Sequence, residues 1–141
     1  MTYFIELTAE PSEADLARVA EGLTSFNTAD AGPSGRVPLA ILVRDEAGAV
    51  IGGLSGYTAW GWLYVQWLWL AEALRGQGLA GKLLAMAEAE AAQRGCHGAY
   101  IDTFNPAALR VYQRQGYAVF GELANFPPGR TRSFLQKPLS P

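Results

Sequence analysis

Within this chain of 141 residues, Arg75-Gly76-Gln77-Gly78-Leu79-Ala80-Gly81-Lys82 is the segment that most restricts the fold. It stands between an aromatic and branched run at residues 63–70 and a strongly helical run at residues 78–94. A glycine-rich turn that opens a helix presents backbone N–H groups and about half a positive charge to its surroundings. The chain therefore carries a strand–turn–helix unit suited to an anion. In that helix Leu79, Leu83, Leu84, Ala87 and Ala91 share one face, with Lys82, Glu88 and Gln93 off it. Gly95 stands where a left-handed stop belongs.

Three anionic ligands use such a turn. Gly76-x-x-x-x-Gly81-Lys82 matches most of a triphosphate-binding loop, but Leu83 stands where a Mg²⁺-holding hydroxyl is needed. Gly76-x-Gly78-x-x-Gly81 matches a dinucleotide fingerprint, with Asp102 ending the next strand as a ribose ligand. Against a dinucleotide, residues 71–75 separate strand from turn, and the chain after Asp102 is too short for the remaining strands. The third ligand is coenzyme A.

The other elements follow from periodicity and breakers. Residues 3–8 read as a first strand. Ser12 caps a helix with Leu16, Val19, Ala20 and Leu23 at helical spacing, and residues 24–38 read as a loop with a short helix near Phe26-Asn27. Strands are expected at 39–44 and 49–57, joined by the turn Asp45-Glu46-Ala47-Gly48. Trp60-Gly61-Trp62 makes a second turn, and 63–70 is the central strand, with Trp67 and Trp69 sharing a core-facing side. A strand at 100–104, a helix from Asn105-Pro106 to about 115, and strands at 117–123 and 131–137 complete the chain. This is an α/β (α+β) layer fold, expected as a single domain over residues 1–141.

Arg75-x-x-Gly78-x-Ala80 resembles the Arg/Gln-x-x-Gly-x-Gly/Ala signature of the GNAT superfamily of acyl-CoA-dependent N-acetyltransferases. Asn105-x-x-Ala108-x-x-x-Tyr112-x-x-x-Gly116-Tyr117 resembles its second block, at the expected distance. The tail, with Phe126-Pro127-Pro128-Gly129, is similar to small bacterial members, although Arg130 stands where histidine is frequent. The resemblance implies a mixed, mostly antiparallel sheet with splayed central strands flanked by helices. It implies acetyl-CoA as co-substrate without a metal, its diphosphate on the turn from Gly76 through Gln77, Gly78, Leu79 and Ala80 to Gly81, and Arg75 bracing the turn or meeting a phosphate. Its pantetheine arm would lie along Leu68, Trp69 and Leu70, near Asn105 and Ala108. Tyr112 would be the general acid for the leaving thiolate.

The base is less defined, because Gln66 stands where such sequences often carry glutamate. Asp102 is one candidate; a water chain or an amine arriving partly deprotonated are the others. Asn27, Trp60, Gln66 and Phe104 are candidates for the acceptor site. A non-catalytic CoA-binding sensor is the alternative from another class.

Composition closes other routes. Net charge is −2, with no Lys/Arg block, so nucleic acid is not an expected partner. Cys96 is the only cysteine and reads as a small buried residue; His97 reads as surface polar. Residues 1–7 lack the pattern of a secretory signal, and the longest apolar stretch, 60–71, is shorter than the ~20 residues a spanning helix needs. A cytoplasmic enzyme with a small-molecule or protein amine as acceptor and no membrane contact is expected, with monomer and homodimer both open.

Overall fold

A computed structural model describes residues 1–140. The chain divides into two units, Met1–Ser34 and Gly35–Pro141.

The first unit is built on helix α1 (Glu13–Ala31). The Ser12 side chain accepts from the Asp15 N–H at 3.1 Å, as its position predicts, and acidic Glu13 and Asp15 suit the positive end of the helix. The helix runs through the expected loop to Ala31, because no strong breaker precedes Gly32 (φ 86°) and Pro33. The expected strand at residues 3–8 is not formed: a strand needs a neighbouring ladder, and this unit supplies only a helix.

The second unit is a six-stranded sheet: β1 (Val37–Arg44), β2 (Val50–Ala59), β3 (Trp62–Leu70), β4 (Gly98–Thr103), β5 (Ala118–Ala124) and β6 (Thr131–Pro138), in the order β1-β2-β3-β4-β6-β5. Among the described residues only β3 and β4 pair in parallel. A parallel pair needs a long crossover, which helix α2 (Leu79–Gln93) provides. The β1–β2 turn forms at Asp45, whose Oδ1 accepts from the N–H groups of Ala47 and Ala49 at 2.9 Å. Gly95 (φ 85°) ends α2 as predicted.

Leu83, Leu84, Ala87 and Ala91 of α2 pack on the sheet with Leu54, Leu63, Val65, Ile101 and Leu135. Each fully buried leucine contributes roughly 1.5–3 kcal/mol. Cys96 joins this core, as predicted. Glu88 departs from expectation: the residue is only 8% exposed, because Lys137 of β6 and Tyr117 close over it.

One irregularity in β3 positions everything downstream. Ser55 pairs with Trp67, but the next residue, Gly56, pairs with Val65, leaving Gln66 as an extra residue. Such a bulge reverses the alternation of side chains. Before it Leu63 and Val65 enter the core; after it Leu68 and Leu70 do. Trp67 and Trp69 are thereby turned out, 67% and 54% exposed, which corrects the expectation that they fill the core.

The parallel ladder also stops early. It runs from Trp62↔Gly98 to Val65↔Ile101 and no further, while β4 continues along β6 to Thr103↔Ser133. From Gln66 onward β3 has no ladder partner on its β4 side, and the two strands part. Helix α3 (Pro106–Arg114) packs on β4 and α2 beside this opening.

Candidate active site

Two cavities lie at the parting of β3 and β4. The larger, about 810 Å³, is walled by Leu68, Trp69 and Leu70 of β3, by the turn and first residues of α2, and by Asn105, Ala108, Val111 and Tyr112. The smaller, about 480 Å³, is walled by Gln66, Trp67, Asp102, Phe104, Phe126 and Arg132 among others. Leu68, Trp69, Thr103, Asn105 and Tyr112 line both. Both volumes suit small-molecule sites.

The larger cavity has the chemistry of an anion site. Gly76 (φ 79°) and Gly78 (φ 76°) hold left-handed backbone, which lets the chain turn sharply into α2. Gly78 is the N-cap and brings no side chain, so the amides of the first turn keep no intrahelical partner and remain for a ligand. Arg75 Nε donates to the Leu70 carbonyl at 3.0 Å, fastening the turn to the end of β3. Arg75 and Arg114 both line the cavity and add positive charge. Gln77 is not among the lining residues; its Nε2 donates to the Ala73 carbonyl at 3.1 Å.

Asn105 caps α3. Its Oδ1 accepts from the N–H of Ala107 at 2.8 Å and of Ala108 at 3.1 Å, with Pro106 as the first helical residue. Asn105→Ala should lower stability by about 1 kcal/mol, measured by urea unfolding, whereas Asn105→Asp should keep the cap.

Tyr112 lies on α3 and is 6% exposed. Its hydroxyl donates to no other group among the described residues. Burial, and secondarily the negative charge of Asp102, push its pKa up to about 12. The hydroxyl is therefore protonated throughout the physiological range, and Tyr112 is among the residues that line both cavities.

Asp102 is more constrained than its position on the strand suggested. Its Oδ1 accepts from Arg132 Nε at 3.0 Å and Nη2 at 2.8 Å, and its Oδ2 accepts from the Tyr64 hydroxyl at 3.1 Å. Among the described residues lining the two cavities, Asp102 is nevertheless the one carboxylate.

Gln66 and Phe104 line the smaller cavity. Trp60 lies at the β2–β3 hairpin, at the opposite end of β3 from the parting, and lines neither cavity. Asn27 belongs to α1 in the first unit. Sequence reading passed over Thr103, Phe126 and Arg132. A basic residue on a strand next to Asp102 was the available signal for Arg132, but only the β4–β6 pairing brings it there.

A family model described as the acetyltransferase (GNAT) family matches residues 5–117. Acetyltransferase Atu2258 of Agrobacterium fabrum is 48% identical over 134 residues, covering 95% of this chain and 97% of its own. A blasticidin-S acetyltransferase of Streptomyces morookaense is 41% identical over 95 residues, covering 67% of this chain and 70% of its own. The crystal structure of a proposed acetyltransferase from Agrobacterium tumefaciens superposes with a TM-score of 0.91 at 46% identity, over 98% of this chain and 100% of that one.

Proposed function

Since this chain belongs to the acetyltransferase (GNAT) family of acyl-CoA-dependent enzymes, we propose that it transfers an acetyl group from acetyl-CoA directly to the primary amine of a small molecule. The observation that carries this reading is the split between β3 and β4, with Tyr112 lining the cavities on both sides of it. The larger cavity takes the donor: diphosphate on the turn at Gly76 to Gly81, pantetheine along Leu68 to Leu70. The unpaired β4-facing side of β3 offers backbone groups for strand-like pairing with the pantetheine amides. The smaller cavity takes the amine. One relative is named for the antibiotic it acetylates, which supports a small-molecule acceptor over a protein.

The reaction needs a neutral amine, and a lysine-like amine of pKa about 10.4 is only about 0.1% free base at pH 7.4. The amine nitrogen attacks the thioester carbon, and a β3 amide near Leu70 stabilises the oxyanion. As the C–S bond breaks, the Tyr112 hydroxyl donates to the departing sulfur and passes its proton as the thiol forms. The acylated nitrogen is then a strong acid and loses its proton to water, with Asp102, held in place by Arg132 and Tyr64, receiving it through that water. Solvent returns a proton to Tyr112.

A pH prediction follows from the direction of the Tyr112 shift. Its acidic form persists until about pH 12, so kcat/KM should climb with the free-amine fraction of the acceptor up to about pH 10 with no alkaline fall. A steady decline above pH 8 would contradict this assignment. Calorimetric titration with acetyl-CoA and with NAD separates this reading from a dinucleotide binder, with micromolar binding expected for acetyl-CoA alone. Thiol release measured with blasticidin S, spermidine, tobramycin and phenethylamine tests the transfer. Acetyl-CoA binding without acetylated product from any amine would leave a binding module.

A further inference from the structure

Glu88 is a carboxylate buried within α2, the helix whose first turn faces the donor cavity. Its Oε2 accepts from the Tyr117 hydroxyl at 2.9 Å, and its Oε1 accepts from Lys137 Nζ at 2.7 Å. Lys137 Nζ also donates to the carbonyl of Gln115, the C-cap of α3, at 2.7 Å. Both partners act on the helix that carries Tyr112. The Tyr117 ring stands edge-on to the Tyr112 ring with centroids 6.5 Å apart, and the Tyr117 N–H donates to the Tyr112 carbonyl at 3.0 Å. The lysine holds the negative end of the same helix.

A buried carboxylate left unpaired is costly, and apolar residues of similar volume often serve stability equally well. The reach of this cluster is informative: one carboxylate ties the donor-facing helix, the last turn of α3 and the ring beside Tyr112 together. Side chains that touch the reacting groups must be held within about 0.5 Å by their neighbours. We propose that Glu88, through Tyr117 and Lys137, is a positioning residue that sets the Tyr112 hydroxyl against the sulfur of the bound donor. This rests on Tyr112 being the acid.

The test is a double-mutant cycle, with kcat measured for the amine that turns over fastest in the panel above and acetyl-CoA affinity measured by calorimetry. In the native background Glu88→Gln keeps one acceptor oxygen but loses the ion pair, and kcat should fall roughly tenfold, a fraction of the ~100-fold that a 1 Å misplacement costs. Acetyl-CoA affinity should stay within about threefold, because the donor touches the other end of α2. Tyr117→Phe keeps the ring and loses only its anchor, so it should give a smaller loss of the same kind and covers the case in which Glu88→Gln fails to fold. In the Tyr112→Phe background neither change should lower kcat further, because the group being positioned is gone. Equal fold losses in both backgrounds, or a loss confined to acetyl-CoA affinity, would overturn the positioning role while leaving the acid in place. An unaltered kcat for Tyr112→Phe itself would remove the acid and the inference together.

Discussion

Tyr112→Phe should lower kcat by about 10²–10⁴-fold, the range that a positioned proton donor contributes, with little change in acetyl-CoA affinity. The ring is what the fold uses: Tyr112 is 6% exposed and its ring packs beside Tyr117. The hydroxyl donates to nothing else among the described residues, so its loss should cost less than about 1 kcal/mol of stability. Steady-state kinetics beside a thermal melt checks both halves. The loss should be greatest for acetyl-CoA and smaller for a thioester whose leaving thiol is more acidic, because that sulfur depends less on a donor. A variant with native kcat on both thioesters would exclude the tyrosine from proton transfer.

Gly78→Asp should abolish useful donor binding while sparing the fold. The position is left-handed, a region in which Asp and Asn are the best tolerated of the non-glycine residues, and a Cβ there would meet nothing within 4 Å. Asp is also a favoured N-cap, so α2 should be retained within about 1 kcal/mol. The new carboxylate would occupy the first-turn amides that the diphosphate needs. Two like charges about 4 Å apart at an effective dielectric of 20 repel by about 4 kcal/mol. The Kd for acetyl-CoA should rise by two to three powers of ten, since about 1.4 kcal/mol is one power. Gly78→Asn separates charge from shape: it offers the same cap without the charge and should lose far less affinity. Equal losses for the two would mean that the turn excludes the donor by bulk rather than holding it by charge.

Much of the larger cavity was legible because its signals are local. The glycines at 76 and 78, the cap at Asn105 and the stop at Gly95 each depend on neighbours a few residues away, and each stands where it was expected. The limits of α1 differ from the expectation because the Gly, Pro, Ser and Asp content of residues 24–38 reads as a loop, whereas the helix passes through Gly22 and ends only where Gly32 is followed by Pro33. The smaller cavity was less legible. Asp102 was found as a residue, but its engagement with Arg132, 30 positions away, was not. Glu88 looked like a solvent-facing residue because the helical pattern records the sheet beneath α2 and is silent about Tyr117 and Lys137 arriving from elsewhere.

Composition and short-range pattern sufficed for the strand–turn–helix unit and the succession of elements after residue 36, whereas the role expected of Tyr112 came from the family resemblance. The unit and the succession are governed by backbone preference and apolar period, which act over one or two turns of chain. The extra residue at Gln66, the direction of Trp67 and Trp69, the early end of the β3–β4 ladder and the partners of Asp102 and Glu88 come from pairings between distant segments. Register is a property of two strands together, and a slip of one residue reverses every side chain that follows. The opening between β3 and β4, with its two cavities, therefore exists in the assembled sheet and in no single stretch of it.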